Sequence, residues 1–284
     1  MQRPLAMAAS LAGDTMKPND RFEGLDFADR WLADGFRVVQ ENPPGFLVLL
    51  DVEMTCARLV IDRLRRSGIR GSYAGVLVRA AALALSRNRD LHSVLVGSRR
   101  LRPGKVRIGL SVANESFAAP VLRLDAVEDK PLPALCQEIA NRAPEARIED
   151  SRTLATLRRW GWLVPFGWMR RLLLRIAFSS LRFRHLFGAL QVTVLPGVDI
   201  ASSLACGTTA VLGMGNVTER VVVRGGQSAV RLMATLTCSG DHKVWDGARI
   251  ARVLGEVRGI LESGELLNEL SGGGTNEERL VGTG

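Results

Sequence analysis

From Ser72 to Arg87 the chain sets Val76, Leu77, Val78, Ala80, Ala81, Ala82, Leu83 and Leu85 in a run that is apolar nearly all round the helix it would form. A helix with no polar face has no side to give to water, so other elements must wrap it. Any fold open to this sequence therefore holds that helix at its centre. At 284 residues and 46% apolar, the chain has ample material for one large domain. No run approaches the ~18 to 20 apolar residues that span a bilayer.

The pattern around that helix predicts both strands and helices. A short helix over 27–39 presents Phe27, Trp31, Leu32 and Phe36 and stops at Pro43-Pro44-Gly45. A strand over 46–53 follows. Thr55 then caps a helix carrying Leu59, Val60, Ile61 and Leu64, which ends at Gly68. Strands are expected over 106–113 and 118–124 around the turn Asn114-Glu115-Ser116, and a helix over 131–142 with proline in its first turn. Further strands read over 189–195 and 208–214, and a hairpin joins 221–223 to a strand from Ala229 across residues 224–228. The last predicted helix, 246–261, buries Ile250, Ala251, Leu254, Val257 and Leu261. Residues 1–22 and 271–284 lack periodicity and read as disordered, which leaves 23–270 as the folded domain. Gly213-Met214-Gly215 lacks the third glycine of a dinucleotide loop.

The formal charge of +9 is concentrated in one place. Between Ser151 and Val198 there is neither an acidic residue nor a lysine, but Arg152, Arg158, Arg159, Arg170, Arg171, Arg175, Arg182 and Arg184 all fall there. Trp160, Trp162, Phe166, Trp168, Leu172 and Ile176 are interleaved with them, and Pro165 and Gly167 divide the segment 151–188 into two amphipathic pieces. Because the remaining surface is nearly neutral and the arginines alternate with a helical burial pattern, a nucleic-acid surface is not expected. Cys56, Cys136, Cys206 and Cys238 are scattered inside apolar patterns and read as buried thiols, which implies a cytoplasmic protein. The three histidines lie far apart, so no metal site is expected.

Chemistry concentrates at Asp241-His242-Lys243-Val244-Trp245-Asp246-Gly247. Val230, Leu232, Ala234, Leu236 and Cys238 alternate with Arg231, Met233, Thr235 and Thr237 just before it, and a helical pattern follows. The stretch is therefore a strand-to-helix turn. Imidazole ordinarily titrates near neutrality, so His242 at such a turn suits taking a proton from a thiol or hydroxyl and returning it. The structural alternative is that His242 caps the strand and Asp246 the helix. Gly247 fits a backbone that bends or is closely approached.

These residues resemble the catalytic core of the dihydrolipoyl acyltransferases of 2-oxoacid dehydrogenase complexes, and more distantly chloramphenicol acetyltransferase. The shared signature is His-x-x-x-Asp-Gly, in the acyltransferase form Asp-His-Arg-x-x-Asp-Gly, with Lys243 here for arginine and Trp245 where a smaller residue is usual. Residues 46–55, 72–95, 106–138 and 188–223 add to the likeness, which extends over about 27–267. It implies an α/β (α+β) fold, a two-layer chloramphenicol-acetyltransferase-like sandwich with a mixed sheet and helices on one face. It also implies a homotrimer with the active site between subunits, coenzyme A as acyl-CoA substrate, His242 as general base and a hydroxyl facing the oxyanion. Thr193 occupies the position of the family serine, and Asp246 that of an aspartate ordering the turn, with Arg30 and Arg37 as candidate partners or substrate contacts beside Gly247.

Departures from the family shape the remaining expectations. No lipoyl or subunit-binding domain is read before the core, so no lipoyl group would be carried covalently and a separate lipoylated protein, or another thiol, hydroxyl or amine, would serve as acceptor. A free trimer is expected. The segment 151–188 has three open readings: its arginines hold the coenzyme's phosphates, its pieces lie on an anionic membrane, or its apolar face packs on its own domain or a subunit interface. A non-catalytic trimeric scaffold that keeps the fold is the alternative function.

Overall fold

The computed structural model describes residues 26–40, 45–96, 99–112, 120–180, 189–203, 208–242 and 244–272. In chain order the helices are α1 (Phe27–Gln40), α2 (Thr55–Arg66), α3 (Tyr73–Arg87), α4 (Leu132–Trp160), α5 (Gly167–Ser179), α6 (Gly247–Glu262) and α7 (Glu265–Gly272). The strands are β1 (Phe46–Glu53), β2 (Val94–Val96), β3 (Arg99–Leu101), β4 (Ile108–Ser111), β5 (Val121–Leu124), β6 (Leu190–Val194), β7 (Ala210–Met214), β8 (Thr218–Arg224) and β9 (Gln227–Gly240).

The apolar helix is α3, and it is central. The Ser72 hydroxyl caps it by accepting from the Gly75 N–H at 3.2 Å. It packs among β4, β6, α2, α4 and α6. Its one deeply placed cation, Arg79, donates to the Val127 and Glu128 carbonyls and to Glu269, so burial leaves that charge satisfied.

The sheet it lies on is seven-stranded, ordered β1-β9-β7-β6-β4-β5, with β8 also paired to β9. The β4·β6 and β6·β7 pairs are parallel and the others antiparallel, which makes the sheet mixed. Alternation assigns the faces of β9. Ala234, Leu236 and Cys238 join the core under the helices, and Thr235, Thr237 and Ser239 line the opposite face. That face is covered at its centre by the chain after β6. The Thr237 hydroxyl donates to the Ala201 carbonyl, and that of Ser239 to the Ser203 carbonyl. Gly213 makes the crossing possible, since a Cβ there would stand 2.3 Å from the Ala201 oxygen. The glycines that do not form a dinucleotide loop thus have a packing role instead.

Several expectations are corrected. Thr55 does not cap α2. Met54 occupies that place, and the Thr55 hydroxyl donates to Glu53 at 2.9 Å. The helix expected to end at residue 142 runs on to Trp160, with Pro144 inside it. Proline removes the bond to the Ala140 carbonyl, but the Ala-, Glu-, Arg- and Leu-rich turns that follow favour helix, and the next glycine is Gly161. The helix α7 continues through Ser271, where a disordered tail was expected to begin, and Arg63 donates to the Ser271 hydroxyl at 3.0 Å. The strands β2 and β3 were not expected. The turn 114–116, Cys206 and residues 1–22 and 273–284 lie outside the described residues. Cys136 and Cys238 are buried, which pushes their thiols up to about 11 and about 12, while Cys56 is half-buried and donates to the Glu262 carbonyl.

The first turns of α4 sit in the core through Leu132, Leu135, Cys136 and Ile139, and Ala143 and Ala146 still pack against it. Further on, α4 packs with α1 and the 3-10 turn Gly161–Leu163, while α1 in turn packs on α5. A buried ion cluster holds this appendage together: Asp34 accepts from Arg170 Nε at 2.7 Å and from Arg171 at 3.2 Å. Arg170 also donates to the Val164 and Pro165 carbonyls.

Candidate active site

The Asp241–Gly247 stretch is a tight turn between β9 and α6. The Asp241 N–H donates to the Thr209 carbonyl at 2.8 Å, and the Asp241 carbonyl accepts from Val244 and Trp245 at 3.0 Å each. Asp246 is the N-cap of α6. Its carboxylate accepts from the Arg249 N–H at 2.9 Å and pairs with Arg249 Nε at 3.2 Å. Trp245 fixes the turn from below. Its ring is fully buried, and its Nε1 donates to the Leu91 carbonyl at 3.0 Å.

With its neighbours so held, His242 is left exposed beside Phe46, edge to face, with ring centroids 6.2 Å apart at 76°. Gly45 gives it room. The Gly45 N–H donates to the Gly240 carbonyl at 2.9 Å, and a Cβ on Gly45 would lie 2.4 Å from the His242 Cβ. The requirement for a glycine here is steric, since the backbone of β1's approach runs directly against the imidazole. Lys243 lies outside the described residues.

Thr193 sits on β6, nearly buried, on the sheet face away from the helices. Register aligns it with Gly213 of β7 and Thr237 of β9. Gln191 on the same strand donates to the Ser111 hydroxyl at 2.6 Å, so this face carries a row of polar groups. Thr193 and His242 do not meet within one chain. Three strand positions of ~3.3 Å and two inter-strand steps of ~4.8 Å separate the level of Thr193 from Gly240, a gap on the order of 14 Å.

The other candidates lie elsewhere. Arg37 pairs with Asp34 at 3.7 Å, and Arg30 stands over the Phe27 ring at 5.1 Å, both on α1. The expected pairing of Asp246 with either arginine is replaced by Arg249, which is nearer in sequence and already placed on the first turn of α6. Nor is Gly247 closely approached, for a Cβ there would meet nothing within 4 Å. Of the connector arginines, which one of the three open readings sets on phosphates, Arg170 and Arg171 are engaged by Asp34, and Arg158 by Asp26 at 2.8 Å. Among the described residues no cluster could hold a metal ion.

The support behind the turn comes from residues that no motif in the sequence marks. His92 is fully buried; its Nε2 accepts from the Arg107 N–H at 3.2 Å, which assigns the ring proton to Nδ1. Burial lowers its pKa and keeps the ring neutral. Next to it, the Ser93 carbonyl accepts from the Thr209 hydroxyl at 2.8 Å, while the Leu91 carbonyl receives Trp245. Only the buried setting of 91–93 marks these residues, and no spacing in the sequence signals it.

Residues 196–268, which include this turn, match the 2-oxoacid dehydrogenases acyltransferase (catalytic domain) family. The chain resembles that family. The lipoamide acyltransferase component of the branched-chain alpha-keto acid dehydrogenase complex of Bacillus subtilis is 25% identical over 90% of this chain, which spans 54% of that relative's length. Among solved structures, a probable dihydrolipoamide acetyltransferase from Listeria monocytogenes matches with a TM-score of 0.67 at 18% identity, covering 87% of this chain and 96% of that one. The dihydrolipoamide acetyltransferase of Azotobacter vinelandii, in which a serine, a histidine and an asparagine were investigated for their catalytic role, matches with a TM-score of 0.65 at 18% identity over 89% of this chain and 99% of that one. The acyltransferase fold is thus shared along nearly the whole chain, and the family match itself falls on the segment that carries His242 and Asp246.

Proposed function

We propose that this chain is an acyltransferase that moves an acyl group between coenzyme A and a thiol, hydroxyl or amine acceptor, and that its active site is assembled between neighbouring copies of a homotrimer. The observation that carries the reading is His242, exposed on a turn in which Asp241, Trp245 and Asp246 are held by hydrogen bonds, within the segment that matches the acyltransferase catalytic domain. The gap of ~14 Å between Thr193 and Gly240, the last residue of β9 before the turn of His242, supports assembly between copies, since hydrogen-bond reach is about 3 Å.

In this mechanism the imidazole of His242 takes the proton from the acceptor's S–H, O–H or N–H. The freed lone pair bonds to the thioester carbon, and the carbonyl π electrons move onto oxygen. Thr193 of a neighbouring copy donates its hydroxyl hydrogen to that oxyanion. Collapse of the tetrahedral centre breaks the bond to the coenzyme's sulfur, and His242 returns the proton to that thiolate, which restores the starting state. Asp246 acts on the turn and not on the proton, because its carboxylate is occupied by the first turn of α6. The likeness to lipoamide acyltransferases makes dihydrolipoamide on a lipoylated protein the first acceptor to try.

Release of coenzyme A from short and long acyl-CoA thioesters tests the reading, with dihydrolipoamide, simple alcohols and amines as acceptors. Wild type is expected to show acceptor-dependent release, and His242→Ala to lose at least about a hundredfold, the usual size of a general-base contribution. Equal, negligible rates in both, with no coenzyme A binding, would instead identify a scaffold that keeps the fold.

A further inference from the structure

We propose that the far end of the helical appendage is a docking surface for anionic lipid bilayers. Trp160 lies 21 residues past Ile139 on the continuous helix α4, about 30 Å along its axis at ~1.5 Å per residue. Around this end Trp160, Trp162, Leu163, Phe166 and Trp168 are each more than half exposed, Trp168 by 61%. Along α5, Leu172 and Ile176 continue the stripe from Trp168 at i+4 spacing, both exposed, with the exposed Arg175 on the same face. Arg159 stacks over the Trp160 ring at 5.4 Å.

Charge identifies the occupant. Over 26–40 and 151–180 there are eight arginines, Arg30, Arg37, Arg152, Arg158, Arg159, Arg170, Arg171 and Arg175, against three aspartates, Asp26, Asp29 and Asp34, a net +5. Acidic groups return only nearer the core, where α4 carries Glu145, Glu149 and Asp150. A second copy meeting this end through a two-fold axis would set +5 against +5, which opposes that contact. An anionic surface meets the arginines while the indoles settle at headgroup level. Among the described residues no helix is long and apolar enough to cross a membrane, so the contact is a peripheral one.

Co-sedimentation of the full chain with vesicles of phosphatidylcholine alone, or mixed with phosphatidylglycerol, tests the proposal. Partitioning is expected to be at least about tenfold stronger onto the anionic vesicles and to weaken several-fold as salt rises from ~0.1 to ~0.5 M. The triple variant Trp162→Ser, Phe166→Ser, Trp168→Ser, which removes only exposed side chains, is expected to lose that binding and keep its melting temperature. Quenching of wild-type tryptophan emission by brominated lipids gives the same readout without a variant. Equal binding to neutral vesicles, no binding to anionic ones, undiminished binding by a folded triple variant, or no quenching would each overturn it. So would light scattering that shows lipid-free association of wild type abolished in the triple variant, because the surface would then join copies.

Discussion

At the residue scale the candidate base depends on what has been left out beside it. Gly45 leaves the space that the imidazole of His242 fills, with 2.4 Å between the His242 Cβ and the position of an added methyl. Gly45→Ala must therefore shift either the turn or the start of β1. A displacement on the order of 1 Å in a reacting group costs roughly a hundredfold in rate. The variant is expected to lose ten- to a hundredfold in kcat for coenzyme A release while its melting temperature changes little, and retained kcat would show that the ring tolerates the shift. The signature containing His242 and Asp246 was legible because its spacing spans one strand end and one helix start. Gly45 was legible only as a breaker, since its contact joins residues almost two hundred positions apart. Trp245 stood out as too large for its position, but the sequence could not indicate that Leu91 offers its indole a carbonyl.

At the scale of elements, a single buried carboxylate joins α1 to α5 in the appendage. Asp34 is 2% exposed and faces Arg170, Arg171 and Arg37. Removing one partner of a buried pair costs about 3–5 kcal/mol, because the opposing charge is stranded. Asp34→Asn is thus expected to loosen α5 from α1 and to speed limited proteolysis within 160–168 by about a hundredfold, the lower end of that cost, with an unchanged cleavage rate arguing against this fastening. The strands of the seven-stranded sheet and the helices α1, α3 and α6 were readable from period and punctuation, since each carries enough apolar residues for a pattern to register. The full length of α4 was not, because its outer half lacks a periodic buried face and its proline suggests an end that the neighbouring helix formers override. The short pair β2 and β3 offered too few residues for a period to register.

At the scale of the molecule, the proposed mechanism takes the sheet face with Thr193 from one copy and the turn with His242 from its neighbour. Mixing Thr193→Val with His242→Ala, each inactive alone, is expected to restore about a quarter of wild-type activity after subunit exchange, the statistical share of intact sites for a site shared by neighbours. No recovery after demonstrated exchange would place both groups' function within one copy. No pattern in a single sequence encodes such sharing, because two copies of the same strand carry the same residues. The helix α4 adds a mechanical property. One rod links the central sheet to the exposed indoles, and Pro144 is the point along it where a backbone hydrogen bond is missing. If the tip is held on a bilayer as proposed, a pull on it would run along this shaft, and Pro144, where the ladder lacks a bond, is where the shaft would bend first.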